Sequence, residues 1–277
     1  MSEGMVHGGR IMQRIIVTLI FAMLITGCAG HLASNASIYS VRNQKITAGP
    51  LTTTLVLVTP TAPPKKPVLV MFASGDGGLT GVSMAVLQHL ADQSHYVAGF
   101  SSREILRPVK RAGGMTRSAA LASVTSLISQ SKRELGLADD TPLIVTGMSR
   151  GANFVIASAG APTLQPHIIG AVAVALTRET DYLDMPDGTG LPAGVLLDDQ
   201  QRVLTYPAIA RLGSIPLAII QSTNDSYVPS AESRQLLGPD TPTRRLYEVP
   251  SRNHGFDGGR ETLMRDLDDA MNWIAKR

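Results

Sequence analysis

One serine in the chain has neighbours that suit nucleophilic catalysis. Residues 147–151 read Gly-Met-Ser-Arg-Gly, with Ser149 at the centre and a glycine two positions away on each side. A serine hydroxyl attacks a carbonyl when it projects from a sharp turn and a base removes its proton. Flanking glycines permit such a turn between a strand and a helix. An apolar run precedes the motif and small residues follow it, so the sequence predicts Ser149 as a nucleophile.

The base and the orienting carboxylate that Ser149 requires are expected later in the chain. His254 follows the last predicted strand and is the only histidine after residue 167. Asp225 follows an apolar segment at 215–221, which places it at the carboxyl end of a strand, where open α/β sheets hold their sites. Serine, aspartate, histidine is a known chain order of catalytic triads. Taken singly, the three residues are equally well a helix-start serine, a turn former and a loop histidine, so the triad hypothesis depends on their joint order.

Two backbone N–H groups are candidates for stabilising the oxyanion that forms when the serine attacks. One belongs to Arg150, directly after the nucleophile, and the other to Asp76, in the glycine-rich loop 74–78 after an earlier strand. The same loop has an alternative interpretation as a phosphate cradle, although it lacks the full Gly-x-Gly-x-x-Gly spacing and a Lys-Ser/Thr ending. The six histidines lie far apart and no cysteine pair exists. The sequence therefore predicts neither a metal site nor a cofactor.

Apolar stretches alternate with helical patterns along most of the chain. Such alternation predicts an α/β fold with a mostly parallel, doubly wound sheet and helices on both faces. We assign residues 46–277 to this single domain and expect the segment 177–213, rich in Gly, Pro and Asp, to form a small cap beside the site. The predicted strands lie at 51–58, 67–72, 96–100, 142–146, 168–175, 216–221 and 246–249, and the predicted helices lie at 82–90, 116–135, 152–159 and near the C-terminus.

The N-terminal segment has the features of a bacterial lipoprotein signal peptide. Two arginines precede an apolar run at 15–25 that is too short to cross a membrane. Residues 25–28 read Ile-Thr-Gly-Cys, the pattern of a lipobox, and Cys28 is the only cysteine of the chain. We expect residues 1–27 to be removed, Cys28 to be lipidated, and residues 28–45 to tether the domain to the inner or outer membrane on its periplasmic side. An ordinary signal sequence with a chance cysteine is the alternative.

The charge balance of the chain limits its partners. With 25 basic and 22 acidic side chains, the formal net charge is +3. This value suits an anionic membrane surface but is far from the dense Lys/Arg patches of nucleic-acid binders, so we expect no nucleic-acid partner. The oligomeric state is not indicated by the sequence.

Three motifs resemble the AcvB/VirJ family of periplasmic, virulence-associated bacterial proteins, which belong to the α/β-hydrolase superfamily. They are the glycine loop 74–78, the turn around Ser149, and residues 254–258, which read His-Gly-Phe-Asp-Gly. The resemblance covers residues 67–276. It implies an α/β-hydrolase fold, with the three triad candidates in the catalytic roles. Since some family members hydrolyse aminoacylated phosphatidylglycerol, it also implies ester cleavage at a lipid headgroup.

Some positions bear on the choice of substrate. Leu79 stands where the family pattern has an aromatic residue, and Asn153 stands where an aspartate is frequent. The segment 178–199 carries six acidic residues against one cation, Arg178. If it caps the site, these acids attract an α-amino group on the acyl side of the ester, and the alternative is a solvated acidic loop. The six acids are Glu179, Asp181, Asp184, Asp187, Asp198 and Asp199.

Other functions remain compatible with the same residues. Within enzymes, the alternatives to a lipid substrate are a small-ester esterase and a peptidase. Outside enzymes, the same fold can serve a noncatalytic periplasmic accessory protein that binds a secreted substrate or an envelope partner.

Overall fold

The computed structural model describes residues 38–111, 116–180, 194–200 and 202–277. Eight of the strands form one sheet, and the seventh and eighth pair separately. In chain order the strands are β1 (Tyr39–Ala48), β2 (Leu51–Pro60), β3 (Leu69–Ala73), β4 (Tyr96–Phe100), β5 (Leu143–Met148), β6 (Ile168–Val174), β7 (Glu179–Thr180), β8 (Val203–Leu204), β9 (Leu217–Ser222) and β10 (Arg244–Val249).

The large sheet is mostly parallel. Its strand order is β1-β2-β4-β3-β5-β6-β9-β10. The last six strands in this order run in the same direction. Parallel neighbours need crossover helices, so both faces of such a sheet are covered and apolar. β3 shows this, because Leu69 and Met71 point into one hydrophobic cluster while Val70 and Phe72 point into another.

Helices cover both faces of the sheet. Leu127 and Phe154 pack in the first cluster, whereas Leu87 and Leu267 pack in the second, so helices lie on opposite sides as the doubly wound fold requires. Within the described ranges, no helix is both long and apolar enough to span a membrane. The helices are α1 (Gly81–Asp92), α2 (Ser102–Arg111), α3 (Arg117–Glu134), α4 (Arg150–Ala159), α5 (Thr205–Ala208), α6 (Ser230–Leu237) and α7 (Arg260–Ala275).

The ordered domain begins earlier than the sequence predicted. Residues 39–45, assigned to the tether, form the first part of β1, which pairs with β2 along its whole length. Only Tyr39, Ile46 and Ala48 of β1 are buried. Backbone pairing with β2 therefore orders this segment at the edge of the sheet. Such pairing needs few buried side chains, so the sequence shows little hydrophobic pattern here. The predicted signal peptide and Cys28 lie outside the described residues.

The segment 177–213 is described except for residues 181–193 and 201. Its described part contains the antiparallel pair β7 and β8 together with α5. Tyr206 and Ala208 of α5 are buried in the same cluster as Phe154 of α4. These residues pack firmly on the domain, and the role of the segment as a cover of the site stays a prediction.

Candidate active site

Ser149 occupies the sharp turn between β5 and α4. Its backbone φ of 54° and ψ of −118° belong to a region that residues other than glycine rarely adopt. The Ser149 N–H donates to the carbonyl oxygen of Val174 at 2.8 Å, which ties the turn to the end of β6. Such a turn holds the side chain at the carboxyl edge of the sheet, where the nucleophile of a hydrolase is expected.

The glycines on either side of Ser149 are required by close backbone contacts. A Cβ on Gly151 would lie 2.0 Å from the carbonyl oxygen of Ala73, and a Cβ on Gly147 would lie 2.2 Å from the carbonyl oxygen of Gly151. Both distances are far below van der Waals contact, and backbone atoms cannot move aside as a flexible side chain can. The glycines therefore allow α4 to pack directly against β3 and β5.

Replacing Gly151 with alanine is expected to destabilise the fold by about 3 kcal/mol or more, because the new methyl group overlaps a backbone carbonyl in a packed core. Urea denaturation measures the effect. Gly77→Ala is the matched control, since its Cβ would meet only the Thr80 hydroxyl at 3.5 Å, and we expect it to cost less than about 1 kcal/mol. Equal unfolding midpoints for the two variants would contradict the close packing described here.

His254 and Asp225 form a hydrogen-bonded pair at the same edge of the sheet. Asp225 lies in the loop after β9 and His254 in the loop after β10, with Nδ1 of the imidazole 2.7 Å from Oδ2 of the carboxylate. The Asp225 side chain is fully buried, whereas His254 is 20% exposed. The other carboxylate oxygen accepts the backbone N–H of Tyr227 at 2.8 Å. A carboxylate only accepts, so Nδ1 carries a proton and Nε2 is left to act as a base.

Gln221 is a buried residue of the site that the sequence analysis missed. Its side-chain amide donates to Oδ2 of Asp225 at 3.1 Å and to the carbonyl oxygen of Val228 at 2.5 Å. Its carbonyl oxygen accepts the N–H of Leu176 at 3.0 Å. Gln221 thus links the end of β6 to the carboxylate that holds His254. The available signal was a glutamine near the end of an otherwise apolar strand.

We expect Gln221→Met to lower kcat about tenfold and to reduce stability by about 1–3 kcal/mol, because Asp225 loses a donor and the Leu176 N–H loses its acceptor. Thr146→Val is the control, since the Thr146 hydroxyl is buried in β5 and donates to the Met71 carbonyl oxygen at 3.0 Å. This variant also loses a buried hydrogen bond but is expected to keep its kcat. Equal losses of kcat in both variants would point to a general effect of destabilisation.

The structure brings Asp225 and His254 into contact and places Ser149 two strands away from β9. Adjacent strands are about 4.8 Å apart, so the ends of β5 and β9 are separated by about 10 Å. A histidine that is hydrogen-bonded to Asp225 can extend across this distance toward Ser149. Within the described part of the chain, no hydrogen bond joins the Ser149 hydroxyl to His254. Catalytic hydrogen bonds are often long in the unliganded enzyme and tighten when substrate binds.

The loop after β3 lies directly against Ser149. A Cβ on Gly75 would be 3.3 Å from Cβ of Ser149 and 3.8 Å from its hydroxyl oxygen, so Asp76 follows a residue in contact with the nucleophile. Among the described residues, the Asp76 N–H donates to no acceptor. Arg150 is the first residue of α4, where the helix dipole favours negative charge. This arrangement suits an oxyanion hole, and the two donor roles stay predictions.

A cleft of about 470 Å³ opens at the carboxyl edge of the sheet beside this site. Its walls come from the ends of β6, β7 and β8 and from the loop after β9. Tyr227, which is 62% exposed, lines the cleft. Its ring packs edge-on against His254 with centroids 4.7 Å apart. Ser149 does not line the cleft, so Tyr227 connects the cleft to the candidate triad.

The acidic residues of the cleft are partly neutralised. Arg202 lies 2.9 Å from Glu179 and 2.7 Å from Asp198, and the backbone N–H of Arg202 helps to lower the pKa of Asp198. Arg202 falls just beyond the segment 178–199 in which acids were counted, so the local excess of negative charge is smaller than the sequence indicated. Asp199 is exposed and lines the cleft. Asp181, Asp184 and Asp187 lie outside the described residues.

Tyr206 of α5 lies near the buried carboxylate of Asp225. Burial raises its pKa to about 12, and the negative charge of Asp225 acts in the same direction. Its hydroxyl donates to the Ser233 oxygen at 2.8 Å. Tyr206 therefore stays neutral at physiological pH and adds no second anion beside Asp225.

No metal centre is formed by the described residues. Within these ranges, no three His, Cys, Asp or Glu side chains are grouped closely enough to hold an ion. Histidine and carboxylate side chains instead meet in pairs, as in His254 with Asp225 and, away from the site, His89 with Asp268 at 2.7 Å.

Comparison with known proteins identifies the fold. No family model and no curated protein sequence matches the chain. Est1E from Butyrivibrio proteoclasticus is 16% identical, covers 85% of this chain and 99% of its own, and superimposes with a TM-score of 0.58. An alpha-beta serine hydrolase homologue from Coxiella burnetii is 14% identical, covers 82% of this chain and 97% of its own, and superimposes with a TM-score of 0.55. The acylaminoacyl peptidase of Pyrococcus horikoshii is 15% identical, covers 86% of this chain and 41% of its own, and superimposes with a TM-score of 0.61.

These likenesses show that the described chain has the α/β-hydrolase fold. The predicted fold class is therefore confirmed, including the mostly parallel sheet and the helices on both faces. The identities are too low to transfer an activity, because one fold carries many functions. The narrower resemblance to the AcvB/VirJ family stays a prediction.

Proposed function

We propose that the protein is a serine hydrolase that cleaves a carboxylic ester with Ser149 as the nucleophile. The observation that carries this proposal is the 2.7 Å hydrogen bond between His254 and the buried Asp225, at the edge of the sheet where Ser149 occupies a positive-φ turn. A histidine oriented by a buried carboxylate is the base that a serine nucleophile requires.

The geometry supports acyl transfer in two steps. Ser149 Oγ attacks the ester carbonyl while Nε2 of His254 takes its proton, and Asp225 stabilises the imidazolium through Nδ1. The backbone N–H groups of Asp76 and Arg150 stabilise the oxyanion. His254 then gives the proton to the leaving alcohol. Water repeats the sequence on the acyl-enzyme and releases the acid.

The ester we propose is the aminoacyl ester of aminoacylated phosphatidylglycerol. One support is the resemblance of residues 74–78 and 254–258 to the AcvB/VirJ family. The other is the acidic character of the cleft, because an α-amino group is positively charged at neutral pH. Glu179 and Asp198 are paired with Arg202, so among the described acids of this segment Asp199 remains to attract the ammonium group.

The lipid anchor predicted at Cys28 would place the protein beside a membrane substrate. Residues 29–38 separate Cys28 from the start of β1 at Tyr39, and ten residues span at most about 35 Å. β1 begins at the edge of the sheet opposite Ser149, since it is antiparallel to β2, and β2 is antiparallel to β4. The length of β5, about 20 Å, is shorter than this reach. A tether of this length therefore allows the sheet edge that holds Ser149 to face the membrane in which the lipid anchor is inserted.

Substrate comparison tests the proposed function. Purified protein is incubated with vesicles of phosphatidylglycerol that contain lysyl- or alanyl-phosphatidylglycerol, and separately with short aryl esters, while the freed amino acid or phenol is measured. We expect release of the amino acid to be the faster reaction. Hydrolysis of aryl esters without release of the amino acid would indicate a small-ester esterase. No hydrolysis, together with no labelling of Ser149 by a fluorophosphonate, would favour a noncatalytic binding protein.

We expect Cys28→Ala to move the protein from the membrane fraction to the soluble fraction, because diacylglycerol attachment requires the thiol. Fractionation of cells that express each form, with immunodetection, checks this. Ser34→Ala in the same tether is the control and should stay with the membrane. A Cys28→Ala protein that remains fully membrane-bound would contradict lipid anchoring.

A further inference from the structure

Asp76 brings a carboxylate close to the place where its own backbone N–H is proposed to stabilise an oxyanion. Gly75, the preceding residue, is already in contact with Ser149, since a Cβ on it would lie 3.3 Å from the serine Cβ. At an effective dielectric constant of about 20, two negative charges about 6 Å apart repel strongly enough to change a rate by about 100-fold. An aspartate is therefore unfavourable at this position unless its charge is neutralised.

The guanidinium of Arg150 contacts both oxygens of this carboxylate. Nη2 of Arg150 donates to Oδ2 of Asp76 at 3.2 Å, and Nε of Arg150 contacts Oδ1. The guanidinium therefore lies against the carboxylate with one hydrogen bond and one further ion-pair contact, which places its positive charge next to the negative charge of Asp76. The Arg150 side chain is 24% exposed, whereas Asp76 is 67% exposed. The arginine is thus the more sheltered partner of the pair.

We propose that the side chain of Arg150 is a positioning residue that neutralises Asp76 and turns its carboxylate away from the oxyanion. The backbone N–H groups of both residues are then able to stabilise negative charge without opposition from Asp76. This inference rests on the proposed function. It assigns Arg150 a role for its side chain that is separate from the role of its backbone.

The proposal predicts unequal effects for the two partners. Removing the guanidinium leaves an unpaired carboxylate beside the oxyanion, which opposes the transition state. Removing the carboxylate takes away the negative side chain at this position, so nothing there opposes the oxyanion. A purely structural contact between α4 and the loop after β3 would be lost equally in both cases. An exposed ion pair also contributes little to stability, so the effect is expected in kcat and in the unfolding midpoint to a much smaller degree.

The test is a double-mutant cycle on Arg150→Met and Asp76→Asn, with kcat and KM measured on a water-soluble aryl ester. We expect Arg150→Met to lower kcat by about 10- to 100-fold with KM changed less than about twofold. Asp76→Asn should lower kcat less than Arg150→Met does, because it removes the negative charge itself rather than the cation that neutralises it. The double variant should be faster than Arg150→Met alone, because the carboxylate that opposed the oxyanion is gone.

The affinity for a boronic acid transition-state analogue provides a second readout, and it should fall in parallel with kcat across the three variants. Arg42→Met and Glu134→Gln serve as controls. Each breaks the ion pair between β1 and α3, in which Nη1 of Arg42 lies 2.6 Å from Oε2 of Glu134, away from the site. Each variant should keep its kcat.

Three outcomes would overturn the inference. Equal losses in both single variants, with no recovery in the double variant, would show a structural link only. Unchanged kcat in Arg150→Met, with an active wild type, would show that the pair has no role in the reaction. A wild type that neither hydrolyses the ester nor binds the boronic acid would reject the proposed function, and this inference would fall with it.

Discussion

Replacing Ser149 with alanine should abolish ester hydrolysis and leave the fold intact. The attacking oxygen is lost, and only binding and oxyanion stabilisation remain, so we expect kcat to fall by at least about 10³-fold. The fold should tolerate the change because, within the described part of the chain, the Ser149 hydroxyl makes no hydrogen bond. Alanine meets the same backbone strain at φ 54° as serine does. Circular dichroism and thermal unfolding should therefore match the wild type.

Ser131→Ala is the matched control for this prediction. Ser131 is buried in α3, away from the sheet edge that holds Ser149. Its hydroxyl donates to the Leu127 carbonyl oxygen at 2.7 Å. It should keep full activity and lose a little stability. Fluorophosphonate labelling adds an independent readout, since label should appear on Ser149 in the wild type and be absent in Ser149→Ala. Undiminished hydrolysis by Ser149→Ala would reject Ser149 as the nucleophile.

The features of this fold that depend on local chemistry could be predicted from the sequence. Strand β5 and the turn at Ser149 follow from an apolar run that ends in a Gly-x-Ser-x-Gly pattern. Helix α3 was predicted at 116–135 and observed at Arg117–Glu134, because Thr116 caps its first turn and apolar residues recur at helical spacing. β3 was predicted because a run of aliphatic residues buried on both faces is typical of parallel strands.

Features that depend on backbone pairing or on ion pairs, and that leave little hydrophobic pattern, were missed. β1 has only three buried residues, and its backbone hydrogen bonds with β2 hold it in the sheet. The acidic segment near Asp199 was judged without Arg202, whose side chain folds back on Glu179 and Asp198.

The same limit applies to the site. The chain order of Ser149, Asp225 and His254 suggested a triad, and the structure joins the last two. The contact of Arg150 with Asp76 has no signal in sequence spacing, because the two residues are 74 positions apart and meet only in the fold. Gln221 lies four positions before Asp225, but its contact with the Leu176 N–H also forms only in the fold.

Replacing Asp225 with asparagine is expected to lower kcat by about 10³- to 10⁴-fold by forcing the wrong tautomer on the imidazole. The carboxylate accepts from Tyr227 N on one oxygen, and from Gln221 and His254 on the other. Asparagine has one acceptor oxygen, so its amide group must face donors. The backbone N–H cannot turn away, whereas His254 can move its proton from Nδ1 to Nε2. Nε2 then carries a hydrogen and is unable to take the proton of Ser149.

The measurement separates this tautomer effect from lost stability. Asp266→Asn is the control, because Asp266 is also buried, lies on α7, and contacts Arg265 at 3.0 Å rather than a histidine. It should keep kcat within about twofold, whatever stability it loses. Nitrogen NMR of labelled His254 at neutral pH should show the hydrogen on Nδ1 in the wild type and on Nε2 in Asp225→Asn. An Asp225→Asn protein with near-normal kcat and an unchanged tautomer would show that Asp225 orients His254 for packing alone.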